Sequence, residues 1–160
     1  MSIQVGDQLP EADLFHMTAD GPQLINSKEL FSGKKVVMFA VPGAFTPTCS
    51  AAHLPGYIER RADLEAAGVD DVVCISVNDV FVMDAWGKAQ GAEGIHMIAD
   101  GSGAFTQAIG QVLDLTDRGL GVRSQRYAML VEDGKVSALD VDEGGKLDVS
   151  SADSMLARLR

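Results

Sequence analysis

Cysteine is scarce in this 160-residue chain, which contains only Cys49 and Cys74. Two thiols cannot build the disulfide framework of a small secreted domain. The first residues, MSIQVGD, show no basic and then apolar leader, and no apolar run approaches the roughly 20 residues needed to span a bilayer. These absences lead us to expect a cytoplasmic protein with reduced thiols and no membrane partner.

Positive charge is also in short supply. Thirteen Lys and Arg stand against 23 Asp and Glu, which gives a formal net charge of −10. An acidic surface repels phosphate backbones, so we expect no nucleic-acid partner. Apolar residues make up 46% and charged residues 22% of the chain, as in folded globular proteins. The length suits a single domain covering residues 1–160.

Apolar runs and turn residues predict an α/β fold. The runs at 36–41 and 72–77 have the composition of strands buried on both faces. Asp133-Gly134 is a strong hairpin signal between two further strands. The pattern fits a thioredoxin fold with an N-terminal extension and a mixed central sheet flanked by helices. The predicted strands are 36–41, 72–77, 95–99, 127–132 and 136–141. The predicted helices are 48–67, 79–90, 103–110 and 151–159, and either Asn78 or Asp79 is expected to cap the second of them.

Cys49 occupies an activating position, because the strand 36–41 delivers it to the start of the next predicted helix. Unpaired backbone N–H groups and the helix dipole favour an anion there. Cysteines at such sites, next to a cation, have pKa values of roughly 3.5–7.5. Thr46 can place a hydroxyl on the sulfur or on a bound oxygen, and Pro42 and Pro47 restrict the loop. Position alone still allows an inert buried thiol.

A longer motif favours the reactive thiol. Residues 42–50, PGAFTPTCS, and residues 53–56, HLPG, closely resemble the active-site segment of the peroxiredoxins. They look most like the type II subfamily, which includes the atypical two-cysteine members. The resemblance spans nearly the whole chain, and its Pro-x-x-x-Thr-x-x-Cys core is specific. It continues through residues 74–79, 81–83, 85–86, 113–115, 119–121 and 123–126.

The resemblance implies a role for each residue of the motif. Cys49 is the peroxidatic cysteine, Thr46 and Pro42 belong to its pocket, and Arg126 matches the family's active-site arginine. Arg123 is the alternative source of the guanidinium. The implied activity is a thiol-dependent peroxidase that reduces hydrogen peroxide and alkyl hydroperoxides through a Cys49 sulfenic acid, in cell redox homeostasis. No cofactor is implied.

The second cysteine is interpreted as a structural residue. Cys74 lies within an apolar strand, about three residues from the edge where Cys49 sits, so the sulfurs are on the order of 10 Å apart. The alternative is a resolving partner after local unfolding, as proposed for some plant-type relatives. The C-terminal segment 145–151 lacks the resolving cysteine of some subfamily members. We therefore expect an external reductant, glutathione with glutaredoxin first and thioredoxin second.

Other residues have more ordinary interpretations. His53 lies four residues after Cys49, but His16, His96 and Cys74 have no ligand-like spacing, so we expect no metal and treat His53 as a packing residue. By resemblance, Phe81 and Pro47 are candidate contacts of a homodimer that pairs through active-site loops.

Two other functions remain open from the sequence. One is a peroxide-sensing or chaperone-like redox binding protein, which would be oxidised through Cys49 without turnover. The other is a disulfide reductase, which the missing Cys-x-x-Cys motif disfavours.

Overall fold

The structure, a computed structural model, describes residues 2–143 and 146–160. Its strands are β1 (Asp13–Thr18), β2 (Gly21–Asn26), β3 (Lys35–Ala40), β4 (Asp71–Ser76), β5 (His96–Ala99), β6 (Val112–Leu115), β7 (Gly121–Ser124), β8 (Arg126–Glu132) and β9 (Lys135–Asp142). Its α-helices are α1 (Ser27–Phe31), α2 (Leu54–Glu59), α3 (Arg61–Ala66), α4 (Val80–Gln90), α5 (Ala104–Ala108) and α6 (Ala152–Leu159). A π-helical segment covers Cys49–His53, and a short 3₁₀ turn covers Thr116–Arg118.

Seven strands form one mixed sheet in the order β2-β1-β5-β4-β3-β8-β9. The central strand β3 pairs in parallel with β4 and antiparallel with β8. Both faces of β3 are covered, which explains why its sequence, KVVMFA, is almost continuously apolar. This is the predicted mixed sheet of a thioredoxin-like fold, with β1, β2 and α1 as the N-terminal extension.

A hydrophobic core lies on each side of the sheet. One core contains Cys49 and Cys74 together with the buried faces of α2, α3, α4 and α6. The other contains the aromatic residues Phe31 of α1 and Phe105 of α5. Alternation along the strands divides side chains between these cores, so that Phe39 of β3 faces the first core and Met38 faces the second.

Two local predictions are confirmed by the backbone. Asp133 and Gly134, between β8 and β9, have φ values of 50° and 80°, the left-handed pair that a tight type I′ hairpin requires. Asp79 caps α4, because its carboxylate accepts a hydrogen bond from the Val82 N–H. The helix ends at Gly91, which adopts a left-handed φ of 67°.

Two features differ from the sequence prediction. The predicted helix 48–67 is divided, because Arg60, with φ −94° and ψ 7°, separates α2 from α3, and because Pro55 has no N–H to donate to the preceding turn. The N–H of Leu54 instead bonds the Cys49 carbonyl five residues back, which produces the π-helical segment. The β6–β7 hairpin was not predicted, since its strands have only four residues each and lie half exposed.

The structure does not test the prediction of one domain over residues 1–160. Among the described residues, no helix is both long enough and apolar enough to cross a membrane.

Gly87 allows α4 to pack closely on β5. A Cβ added there would lie 2.8 Å from Met97 Cγ, whereas a Cβ at Gly56 of α2 would meet nothing within 4 Å. We expect Gly87→Ala to lower the free energy of unfolding by about 1 kcal/mol, because overpacking outweighs the helix propensity gained. The matched control Gly56→Ala should raise it by roughly 0.5–1 kcal/mol. Urea unfolding measures both, and a Gly87→Ala protein as stable as wild type would contradict the close packing.

Candidate active site

Cys49 lies at the start of the π-helical segment, where the chain enters its first helix after β3. The side chain is fully buried. The Ser50 N–H donates to the Thr46 carbonyl at 3.0 Å, so the first helical turn already encloses the cysteine. Trp86 of α4 donates its indole N–H to Ser50 Oγ at 3.0 Å and fixes this turn against the core.

A guanidinium contacts the sulfur directly. Arg126 Nη2 donates to Cys49 Sγ at 3.2 Å, although the two residues are 77 positions apart. Arg126 begins β8, and β8 runs antiparallel to β3, so its first residues lie beside the end of β3 at Ala40. The guanidinium is buried, and its positive charge stabilises an anionic sulfur in a region from which water is excluded.

Arg123, the alternative guanidinium, has other partners. Its Nε donates to the Leu120 carbonyl at 2.8 Å and its Nη1 donates to the Val77 carbonyl at 3.1 Å. A Cβ at Gly43 would lie 3.4 Å from this Nη1. Arg123 therefore braces the loop before α4 and the loop that carries Gly43, while Arg126 makes the contact with sulfur.

The loop before Cys49 is held by its own polar groups. Thr46 Oγ1 donates to the Gly43 carbonyl at 2.6 Å, so its proton is already used and its lone pairs remain able to accept. Pro42 is half-buried at the start of the loop, and Pro47 is exposed. Phe45 has a left-handed φ of 64°, an uncommon conformation for a bulky residue and one that occurs at functional sites.

His53 is the site residue whose role the sequence did not reveal. Its Nε2 lies 3.0 Å from the Ser150 carbonyl oxygen, which can only accept, so Nε2 carries the proton. Its Nδ1 consequently has a lone pair that accepts from Arg126 Nη1 at 2.8 Å. Burial and then the charge of Arg126 lower the pKa of His53 to about 3. The sequence signal that could have revealed this role was the position of His53 one helical turn after Cys49. The cation beside it, Arg126, is brought there only by the fold.

Aromatic side chains pack against the site on the side that faces the core. Tyr57 stacks on Phe39 with ring centroids 4.0 Å apart, and the Phe39 ring centroid lies 5.0 Å from that of His53. The Tyr57 hydroxyl donates to the Ser150 carbonyl at 2.8 Å, beside the bond from His53. These contacts fix the imidazole on both its edge and its face.

Cys74 is buried in β4 and forms no disulfide. It is the parallel partner of Phe39 and lies in the same core as Cys49. Burial, followed by the charge of Cys49, raises the pKa of Cys74 well above its usual range. Such a thiol stays protonated at neutral pH and is a poor nucleophile.

The remaining histidines lie elsewhere. His16 Nδ1 and His96 Nε2 are 2.8 Å apart, and His96 Nδ1 is 3.1 Å from Asp71 Oδ2. Within residues 2–143 and 146–160, no group of three or more His, Cys, Asp or Glu side chains is arranged to hold a metal ion.

Comparison with known proteins identifies the family. A family model described as Redoxin matches residues 4–156. Peroxiredoxin-2B of Arabidopsis thaliana is 50% identical over 160 residues, which cover 98% of each chain. The hybrid peroxiredoxin hyPrx5 of Haemophilus influenzae is 41% identical over 99% of this chain and 67% of its own length. The crystal structure of reduced Prx3 from Vibrio vulnificus in complex with hydrogen peroxide has a TM-score of 0.96 and 52% identity, with 99% of both chains covered.

The chain therefore belongs to the Redoxin family. Within that family it is a type II peroxiredoxin, as its resemblance to the subfamily's active-site segment predicted. It is accordingly an oxidoreductase that acts as a thiol-dependent peroxidase.

The neutral state of His53 predicts a pH dependence of stability. The unfolded chain takes up a proton near pH 6.5, whereas folded His53 stays neutral down to about pH 3. The unfolded state therefore binds more protons between these values, and stability falls as pH falls, with His53 contributing up to about 1.4 kcal/mol per pH unit. We expect His53→Gln, which cannot titrate, to show a flatter decline between pH 6.5 and 4.5 in urea unfolding. The pKa of His16 is lowered too, but His16 is present in both proteins. Parallel stability curves for the two proteins would contradict a neutral buried His53.

Proposed function

We propose that Cys49 is the peroxidatic residue and that hydrogen peroxide and alkyl hydroperoxides are its substrates. The observation that carries this proposal is the 3.2 Å contact of Arg126 Nη2 with Cys49 Sγ. The thiolate attacks one peroxide oxygen, an S–O bond forms as the O–O bond breaks, and the second oxygen leaves as hydroxide or alkoxide. Sulfur loses two electrons and becomes a sulfenic acid, while the leaving oxygen gains them and is protonated.

Arg126 and Thr46 have complementary parts in this step. Negative charge moves from sulfur onto the leaving oxygen during the attack. The guanidinium lies beside the sulfur, so its N–H groups can donate hydrogen bonds to that oxygen as the charge develops. The Thr46 hydroxyl donates its hydrogen bond to the Gly43 carbonyl, so its oxygen is available to accept a hydrogen bond from the peroxide O–H. Pro42, half-buried in the same loop, limits the space around the substrate.

The reducing step requires an external thiol in this proposal. Cys74 is fully buried within β4, and its raised pKa makes it a weak resolving group. A thiol must reach the Cys49 sulfenic acid, form a mixed disulfide with loss of water, and be displaced by a second thiol. Glutathione with glutaredoxin is the first candidate reductant and thioredoxin is the second. Two free thiols also suit a cytoplasmic location, which remains part of the proposal.

Cysteine variants test the one-cysteine cycle. We expect Cys49→Ser to abolish peroxide consumption with glutathione and glutaredoxin. Cys74→Ala should retain most of it while losing about 1 kcal/mol of stability from the core. After one equivalent of peroxide, mass spectrometry should find a sulfenic acid or glutathione adduct on Cys49. Unchanged turnover in Cys49→Ser would refute the assignment, and a Cys49–Cys74 disulfide would assign Cys74 the resolving role.

An exposed apolar surface supports a homodimer formed beside the site. Phe81 is 64% exposed and Phe45 is 56% exposed, while Val122 of β7 is also exposed. Arg123 of β7 donates to the loop before α4, and its Nη1 would lie 3.4 Å from a Cβ at Gly43, so the segments that carry these three residues are adjacent. Exposed apolar side chains clustered in this way are typical of protein interfaces. We propose that a second copy covers Phe81, Phe45 and the neighbouring Pro47.

A charge on this surface should dissociate the dimer. We expect Phe81→Asp to shift the sedimentation of the protein from dimer towards monomer, because burying an unpaired carboxylate in the interface is unfavourable. Leu24→Asp is the matched control, since Leu24 is 53% exposed on β2 and lies outside the proposed interface. Equal sedimentation of wild type and Phe81→Asp would contradict this interface.

A further inference from the structure

A buried carboxylate organises the segment that precedes α6. Asp142 ends β9, and its side chain accepts hydrogen bonds from three consecutive backbone N–H groups, those of residues 148–150, at 2.9–3.0 Å. The Ser150 hydroxyl adds a fourth bond at 2.5 Å. Burial alone would raise the pKa of Asp142, but the bonds from Ser150, Asp148 and Val149 outweigh it and lower that pKa. The side chain is therefore an anion that binds one short piece of backbone.

This piece of backbone ends at the active site. The carbonyl of Ser150 points to the Cys49 side of the sheet, where it accepts from both His53 Nε2 and the Tyr57 hydroxyl. A carbonyl has two acceptor positions, and both are used. The bond to Nε2 selects the imidazole tautomer, and that tautomer gives Nδ1 the lone pair which Arg126 Nη1 contacts.

We propose that Asp142 is a positioning residue for the peroxidase reaction, acting on Arg126 through the Ser150 carbonyl and His53. This inference rests on the proposed roles of Cys49 and Arg126. Its physical basis is that each hydrogen bond in this series restricts the orientation of the group that makes the next one. The carboxylate holds the 148–150 backbone, the carbonyl orients His53, and His53 fixes the plane of the guanidinium at the sulfur.

The strand register explains why one carboxylate can do this. Asp142 and Arg126 are directly paired residues on β9 and β8. The chain leaves β9 at Asp142 and returns at residues 148–150 to the same carboxylate, so this end of the ladder and the C-terminal segment are joined at one point. A displacement of the Ser150 carbonyl is therefore transmitted to the guanidinium of Arg126, the first residue of the neighbouring strand β8.

Asp142→Asn tests the proposal, because the amide keeps the shape of the side chain, removes its charge and replaces one of its two acceptor oxygens with an N–H donor. We expect the rate constant for Cys49 oxidation by hydrogen peroxide to fall about tenfold or more, because a guanidinium that is present but misplaced stabilises the transition state less well. Stopped-flow fluorescence can follow the reaction, since Trp86 is the single tryptophan and bonds Ser50 next to Cys49.

Asp140→Asn is the matched control. Asp140 lies two residues earlier on β9 and pairs with Arg158 of α6 at 2.5 Å, but makes none of the bonds to residues 148–150 described above. This variant loosens the attachment of the C-terminal helix without removing the carboxylate that binds Ser150. Its oxidation rate should stay within about twofold of wild type. An equal loss in both variants would show a general effect of the C-terminal segment and overturn the proposal.

A double-mutant cycle separates positioning from fold stability. His53→Phe removes the imidazole link, so Asp142→Asn should lower the rate less than about twofold further in that background. An Asp142→Asn effect of full size there, or an unchanged rate in the single variant, would overturn the proposal. If Asp142→Asn does not fold, Ser150→Ala replaces it. That change removes the hydroxyl donor, keeps the carbonyl, and should cost about two- to threefold, again only when His53 is present.

A spectroscopic measurement distinguishes this proposal from the proposed function itself. Nitrogen NMR of the three histidine rings should show His53 protonated at Nε2 in wild type, with its signals shifted in Asp142→Asn and those of His16 and His96 unchanged. Unmoved His53 signals would overturn the positioning role. Retained activity in Cys49→Ser would instead refute the proposed function, and the NMR result would still report on the link from Asp142 to His53.

Discussion

The contact between the Arg126 guanidinium and the Cys49 sulfur is the interaction on which the rest of the site depends. It exists because β8 lies antiparallel to β3, so that the start of one strand meets the end of the other. A cation buried in this way requires partners, since an unpaired buried charge is strongly unfavourable. Sulfur and the His53 ring supply two of them, and both lie on the helix that follows β3.

The neutrality of His53 follows from the same constraint. A charged imidazole 2.8 Å from a guanidinium would be repelled, and burial further disfavours its protonation. As a neutral ring, His53 makes two hydrogen bonds: it accepts one from Arg126 and donates one to the Ser150 carbonyl. The C-terminal segment consequently belongs to the site's polar network, although its residues are distant in sequence from Cys49. The buried Cys74 lies in the same core as Cys49.

Much of the fold could be predicted because its signals are local. The apolar runs of β3 and β4, the Asp133-Gly134 turn and the Asp79 cap each depend on a few neighbouring residues. The interruption of the first helix was harder to predict, because a proline can kink a helix or be absorbed by a π-helical turn. The β6–β7 hairpin has too few residues and too little burial for a clear pattern. In the site, the position of Cys49 was readable from its motif, whereas the link from His53 to Ser150 joins residues 97 positions apart.

The sequence by itself determined the class of protein, through the resemblance of its motifs to the type II peroxiredoxins. It also made Cys49 the candidate thiol, because a strand, a restricted loop and a helix start follow one another in consecutive residues. It also determined that Cys74 has apolar neighbours in a strand. Only the tertiary structure decided which guanidinium reaches the sulfur, which tautomer His53 adopts and which backbone carbonyl holds it. Those choices depend on strand pairing and on burial, and both are properties of residues far apart in the chain.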